Sequence, residues 1–129
     1  MLNLSKSKYC ALWQCPKILW LEKYKPEQAQ INESAESRME MGSEVGVLAR
    51  GIFGEHVDVT DHNGDSVDIS KMISNTCAEM AKGTPVICEA SFLYEGLFCS
   101  VDILHREDGG WAVYEVKSAA HSEQSCLLC

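Results

Sequence analysis

The sequence contains no apolar run close to the roughly 20 residues that a membrane-spanning helix needs. Its N-terminus lacks the uninterrupted apolar core of a secretory signal peptide, and internal repeats and low-complexity tracts are absent. Hydrophobic residues make up 46% and charged residues 23% of the 129 residues, which is ordinary for a globular chain. We therefore expect one soluble cytoplasmic domain spanning residues 1–129.

Basic residues are scarce, since 11 lysine and arginine residues face 19 aspartate and glutamate residues, for a net charge of −8. This balance argues against nonspecific attraction to nucleic acid. The charge is unevenly spread, because residues 1–25 contain 5 lysines and a single acid, Glu22, whereas the rest has 6 basic and 18 acidic residues. A basic run of this kind is more often a solvated helix face than a phosphate contact.

Cysteine, in contrast, is frequent, with 7 residues. Cys77, Cys88 and Cys99 lie within apolar helix or strand patterns, which predicts buried thiols that act as small hydrophobic groups. In a cytoplasmic chain the remaining cysteines are expected to be free thiols or metal ligands rather than disulfides. These lie near the two termini: Cys10, Cys15, Cys126 and Cys129.

The first part of the chain predicts helices. Residues 1–25 form a basic helical segment in two pieces that meet at Cys15-Pro16, with Ser5 or Ser7 as the N-cap. A core helix is expected over residues 39–53, because one apolar stripe runs along it. The stripe consists of Met41, Val45, Leu48 and Ile52.

Glu44 flanks that stripe, so it either points toward the sheet or lies on the helix surface. Further along, Asn63-Gly64 predicts a hairpin turn. A second core helix then begins with Ser70 as its N-cap and ends at Gly83. Its inward residues are expected to be Met72, Ile73, Thr76, Cys77 and Met80.

A three-stranded antiparallel meander is expected over residues 86–117. Only Glu95-Gly96 separates its first two apolar runs, which predicts a tight hairpin that pairs Tyr94 with Leu97. Because paired positions in an antiparallel register keep a constant sum, Glu89 falls opposite Asp102.

The second link of the meander contains Asp108-Gly109-Gly110. If Trp111 pairs with either Leu104 or Arg106, Glu115 and Lys117 of the next strand lie on the face that carries Asp102. Like charges opposed across a ladder destabilise it by about 0.2–1 kcal/mol, and a divalent cation reverses the sign of that contribution. The acidic face would hold Glu89, Asp102, Glu115 and Lys117.

The opposite face of the meander is expected to be an uncharged core face. It would carry Val86, Cys88, Ala90, Phe92, Tyr94, Leu97, Cys99, Val101, Ile103, Ala112, Tyr114 and Val116.

The spacing of Asp102, twelve residues and then Glu115-Val116-Lys117 resembles the PD-(D/E)XK nuclease superfamily. The similarity is greatest to the branch of RecB-type nuclease domains and the iron–sulfur nucleases of CRISPR adaptation. The segments that support it span nearly the whole chain: Leu4 to Ser7, Cys15 to Lys17, Leu19 to Leu21, Gly42 to Arg50, Phe98 to Leu104 and Tyr114 to Ser118.

The resemblance implies a restriction-endonuclease-like α/β core and metal-dependent hydrolysis of DNA, with a single strand as one possible substrate and exonuclease-like action. Asp102, Glu115 and the backbone carbonyl of Val116 would hold Mg²⁺ or Mn²⁺, and Lys117 would orient the attacking water or contact the phosphate. The family places another metal-binding residue on the preceding helix, for which Glu44 is the best match. Hairpin register adds Glu89 as a further metal ligand.

Two departures from the family keep other interpretations open. The family core continues with a helix and a strand after the Glu-x-Lys strand, whereas only residues 118–129 follow here. The alternatives are a fragment, a truncated relic, or half of an assembly in which a partner chain or a second copy completes the sheet. Cys10 or Cys15 with Cys126-x-x-Cys129 would supply an incomplete ligand set for an iron–sulfur cluster or zinc. The alternatives are a catalytically inactive nucleic-acid-binding or assembly module of this fold and a small cysteine-ligated metal protein.

Overall fold

The computed structural model describes residues 4–29 and 33–118 as a mixed α/β protein, as predicted. Its helices are α1 Lys6–Gln14, α2 Pro16–Tyr24, α3 Glu33–Arg50 and α4 Ile69–Lys82, with a 3-10 turn at Pro26–Gln28. Its strands are β1 Leu4–Ser5, β2 Val57–Asp58, β3 His62–Asn63, β4 Ser66–Val67, β5 Val86–Tyr94, β6 Leu97–Glu107 and β7 Gly110–Tyr114. No helix in this part of the chain is long and apolar enough to cross a membrane.

The central feature is the predicted meander of β5, β6 and β7, whose neighbouring strands pair antiparallel. It ends earlier than predicted, because β7 stops at Tyr114 and leaves Glu115 to Lys117 beyond the strand. Tyr94 pairs with Leu97, and Arg106 pairs with Trp111, which is the longer of the two registers considered for the second hairpin. Two short strands that the sequence did not predict extend this sheet in parallel: β1 lies beside β6, and β2 lies beside β5. The sheet is therefore mixed rather than purely antiparallel.

The N-terminal helices follow the predicted division at proline. The Ser5 side chain accepts a hydrogen bond from the Lys8 backbone N–H at 3.3 Å, which caps α1. Cys15 ends α1, and Pro16 occupies the first turn of α2, where its missing N–H costs no intrahelical bond. The hairpin predicted at Asn63-Gly64 is present but shifted by one residue, because Asn63 ends β3 and Gly64-Asp65 joins it to β4.

Helix α4 packs on β5 through a polar contact as well as apolar ones. The buried Thr76 hydroxyl accepts a hydrogen bond from the Ser91 backbone N–H at 2.9 Å and donates one to the Met72 carbonyl at 2.7 Å. The predicted N-cap was wrong, because Asp68 rather than Ser70 accepts from the Lys71 backbone N–H. The Asp68 carboxylate satisfies a backbone N–H of the first turn that has no partner within the helix, so α4 begins directly after Asp68, at Ile69.

Cys77 of α4 is exposed, which corrects its expected burial, whereas Cys88 is buried as predicted and Cys99 is partly buried. In α4 the buried stripe consists of Met72 and Thr76, spaced four residues apart. Cys77 follows Thr76 directly and so lies about 100° further around the helix.

Gly83 ends α4 in the left-handed conformation, with φ 79°. A Cβ there would clash with Nη1 of Arg106, whose guanidinium donates to the Gly83 carbonyl at 3.2 Å. We expect Gly83→Ala to lower the free energy of unfolding by about 1–2 kcal/mol, because alanine is strained at positive φ. Urea denaturation measures this change.

Gly46→Ala is the matched control, because Gly46 lies inside α3 and has nothing within 4 Å of an added Cβ. There the same change should raise the free energy of unfolding by about 0.5–1 kcal/mol through helix propensity. Equal effects of the two substitutions would contradict the conformational assignment at Gly83.

The sheet is covered on both sides, which corrects the expectation of a single core face. Cys88 and Ile103 form a buried cluster with Ala49 of α3. Their neighbours Ala90 and Val101 belong to a second cluster, against which Met80 of α4 packs. Strand alternation would have placed all of these strand residues on one side, so the alternation is interrupted between the two clusters.

The apolar stripe of α3 also faces differently from the prediction. Met41 and Leu48 are exposed and Val45 is partly buried. Because α3 ends at Arg50, three residues before the predicted end, Ile52 lies in the turn beyond it and is 71% exposed. The helix instead turns small residues toward the sheet region: Ala49 is buried, and a Cβ on Gly42 would lie 3.9 Å from Ser118 Oγ. Ala49, rather than the bulky stripe, therefore packs against the sheet residues.

Candidate active site

Glu89 and Asp102 occupy opposed positions in β5 and β6, as predicted. The flanking pairs Cys88 with Ile103 and Ala90 with Val101 fix the same register on both sides of them. Glu89 itself adopts φ 57°, an uncommon left-handed conformation for a residue other than glycine. This kink coincides with the point where the strand residues change from one buried cluster to the other.

The kinked backbone at Glu89 is held by hydroxyl groups. The Glu89 carbonyl accepts hydrogen bonds from Ser91 Oγ at 3.0 Å and from Ser100 Oγ at 3.3 Å. Ser100 Oγ also lies 3.4 Å from a carboxylate oxygen of Glu89. These hydrogen bonds replace strand-to-strand pairing that the kink at Glu89 interrupts. They also hold the Glu89 backbone in place and so set the position of its Cα atom.

Arg50, at the end of α3, provides positive charge at this part of the sheet. Its guanidinium donates to Glu89 Oε1 at 3.1 Å and also to the Asp58 carboxylate of β2. Burial raises the pKa of Glu89, and the attraction of Arg50 offsets that rise only in part. The ionised form of Glu89 is therefore costly in this position and depends on a nearby cation.

Asp102 binds the backbone of the segment that follows β7. Its Oδ2 atom accepts a hydrogen bond from the Val116 backbone N–H at 2.7 Å. The Val116 side chain packs against the cluster that contains Ile103, so it points to the core as predicted. This contact places the Glu115-Val116-Lys117 segment directly beside Asp102.

Glu115 forms an ion pair with Lys6, the first residue of α1. Burial lowers the pKa of Lys6, but the hydrogen bond and charge of Glu115 outweigh that effect and raise it. Lys117 is exposed two residues after Glu115. The acid of the Glu-x-Lys motif is thus contacted by a lysine from the N-terminal segment, which the sequence did not predict.

A cavity of about 240 Å³ lies between α3 and the sheet. Glu89, Asp102 and Arg50 line it together with Gly42 and Gly46 of α3. Glu44 is exposed on α3 and is absent from the lining, so the structure does not bring it to the other candidate residues. Glu115 and Lys117 also lie outside this lining.

Among the side chains that the structure describes, those of residues 4–29 and 40–118, no three histidine, cysteine, aspartate or glutamate residues are arranged to hold a metal ion. The contacts explain why: Glu89 faces Arg50, Glu115 faces Lys6, and Asp102 accepts from the Val116 N–H. The donor set nevertheless has the right chemistry for Mg²⁺ or Mn²⁺, since hard divalent cations prefer carboxylate and carbonyl oxygens.

The predicted cysteine site is described only in part. Cys10 and Cys15 are partly buried free thiols, whereas Cys126 and Cys129 lie outside the described residues. A cysteine-ligated iron–sulfur cluster or zinc therefore stays a prediction.

No protein-family model matches this sequence, and no curated protein or solved structure is significantly similar to it. What the chain does must be inferred from its own residues and their geometry.

Proposed function

We propose that this chain is a metal-dependent DNA nuclease of the PD-(D/E)XK type with a restriction-endonuclease-like core. The observation that carries the proposal is the 2.7 Å hydrogen bond from the Val116 N–H to Asp102, which brings the Glu-x-Lys segment beside the aspartate of the neighbouring strand. This closeness of Asp102 and the Glu115 segment is expected if both carboxylates bind the same metal ion. A surface ion pair on a hairpin would not require it.

In this proposal Asp102, Glu115 and the Val116 carbonyl hold Mg²⁺ or Mn²⁺, with Glu89 as an additional ligand. The bound metal would activate water and offset charge that develops on the phosphate. Lys117 would position the attacking water or bind a phosphate oxygen, because its side chain is exposed close to Glu115.

The cations Arg50 and Lys6 take part in this proposal as internal counterions. Glu89 and Asp58 would repel each other without Arg50, and Lys6 balances the charge of Glu115. Both cations thus pair with carboxylates that would hold the metal, Glu89 and Glu115. Binding of a divalent cation would release Lys6 from Glu115. The freed ammonium group could then contact DNA phosphate.

The test compares Mn²⁺ binding and DNA cleavage in the wild type, Asp102→Asn and Glu115→Gln. We expect calorimetry to show Mn²⁺ binding by the wild type only, and metal-dependent cleavage of labelled DNA to be lost in both variants. Asp65→Asn is the matched control, because Asp65 is an exposed acid in the turn between β3 and β4. Cleavage that persists in both site variants would refute the nuclease assignment.

A second candidate is a nucleic-acid-binding module of the same fold that does not cleave. It is favoured by the absence of a preassembled metal-binding group among the described residues. DNA binding by the wild type without any Mn²⁺ binding would support this candidate over the first.

A further inference from the structure

Helices α1 and α2 present the same side-chain pattern twice. In each helix, a lysine is followed by one aromatic residue three positions later and another seven positions later. The three residues of α2 lie 11 positions after the corresponding residues of α1. Residues spaced this way lie along one side of a helix. The six residues, here named the lysine–aromatic surface, are Lys6, Tyr9, Trp13, Lys17, Trp20 and Tyr24.

The aromatic rings of this surface are turned to solvent. Trp13 is 69% exposed, Trp20 is 54% exposed and Tyr24 is 56% exposed. The rings lie in pairs, with centroids 6.5 Å apart for Tyr9 and Trp13 and 5.4 Å apart for Trp20 and Tyr24. Exposed apolar surface of this extent on neighbouring helices is typical of a binding site.

Positive charge surrounds these rings. Residues 1–25 contain 5 of the 11 basic residues and only 1 of the 19 acids, and Lys23 Nζ lies 5.2 Å from the centroid of the Tyr24 ring. A partner that matches this surface must combine negative charge with flat apolar groups. Single-stranded nucleic acid has both, because its phosphates are anionic and its unpaired bases can stack on aromatic side chains.

We propose that the lysine–aromatic surface binds single-stranded DNA and leads it to the acidic face; this inference rests on the proposed nuclease function. Bases stack on the exposed rings, and lysines bind the phosphates. The surface begins at the acidic face, because Lys6, its first residue, forms the ion pair with Glu115. Duplex DNA fits less well, since its bases already stack on one another.

The test measures binding of a fluorescent oligothymidine in EDTA, so that no metal site or cleavage contributes. The wild type should bind with quenching of tryptophan fluorescence. Trp13→Ala and Trp20→Ala should each weaken binding by about 5- to 100-fold, the range measured for loss of one stacked base. Leu48→Ala is the matched control, because Leu48 is an apolar α3 residue that is 77% exposed.

Charge is tested in the same assay by varying salt. Lys17→Ala should flatten the dependence of log Kd on log salt by about 0.7, the contribution of one phosphate contact to a single strand. Lys71→Ala, an exposed lysine of α4, should leave that dependence unchanged.

Three results would overturn the proposal. They are absence of oligonucleotide binding in EDTA, binding that both tryptophan variants retain at full strength, and preference for duplex of the same sequence. Self-association that is lost in the tryptophan variants would assign the surface to a second copy of the chain instead. Because the assay contains no metal, Mn²⁺-dependent cleavage could still be found after any of these results, so the two proposals fail separately.

Discussion

Lys117→Ala should lower the rate of metal-dependent DNA cleavage by about 10²- to 10⁴-fold while Mn²⁺ binding stays close to that of the wild type. Lys117 follows the proposed ligands Glu115 and Val116, and its exposed ammonium group can reach a water or a phosphate without holding the metal. Single-turnover cleavage and calorimetry on the same samples separate the two steps. A cleavage rate equal to that of the wild type would remove Lys117 from the chemistry.

Lys6→Ala is the informative comparison, because Lys6 rather than Lys117 pairs with Glu115 in the structure. If Lys6 is a counterion, its removal frees Glu115 and should strengthen Mn²⁺ binding. If Lys6 were instead the lysine that acts on the attacking water, Lys6→Ala would lose cleavage as severely as we expect for Lys117→Ala. The pair of variants therefore decides which lysine serves the reaction.

The register of the meander could be predicted because short turns restrict it. Gly96 has φ 81°, so the two-residue link between Tyr94 and Leu97 closes as the sequence indicated. Once one pair is known, every later pair follows, which is how Glu89 and Asp102 were placed opposite each other. For the second hairpin the sequence allowed two registers, with Trp111 paired either to Leu104 or to Arg106. The structure shows the pairing of Trp111 with Arg106.

The direction of the side chains was not predictable in the same way. Alternation assumes extended backbone at every residue, but Glu89 adopts φ 57°, and glutamate itself gives no sign of that conformation. The prediction that the apolar stripe of α3 faces the core was also wrong. Its bulky residues suggested a core face, yet the buried residue of α3 is Ala49.

The partners of the acids were also missed, because they depend on contacts between distant parts of the chain. Lys6 reaches Glu115 across 109 residues, and Arg50 reaches Glu89 across 39. The strands β1 and β2 have two residues each, too few to show any periodicity. Parallel pairing of β1 with β6 starts α1 beside the sheet, which brings Lys6 within reach of Glu115.

The last prediction tests which apolar residues form the core. Ile87→Ala should lower the free energy of unfolding by about 2–5 kcal/mol, because the Ile87 side chain is fully buried in the cluster with Val59 and Leu104, and its loss leaves a cavity. Ile52→Ala should change it by about 0.5 kcal/mol or less, since Ile52 is exposed. Urea denaturation of both variants measures the difference.

Ile87→Val adds an intermediate step to this comparison. Removal of one methylene group should lower the free energy of unfolding by about 0.5–1.5 kcal/mol. The apolar pattern of the sequence alone would rank Ile52 with the core, whereas the structure places it exposed in the turn after α3. The two isoleucines therefore test whether the apolar pattern or the observed packing identifies the core. A loss at Ile52 as large as that at Ile87 would show that the stripe of Met41, Leu48 and Ile52 is covered in solution. Sedimentation of wild type and Ile52→Ala would then identify a second copy of the chain as the cover if only the wild type self-associates.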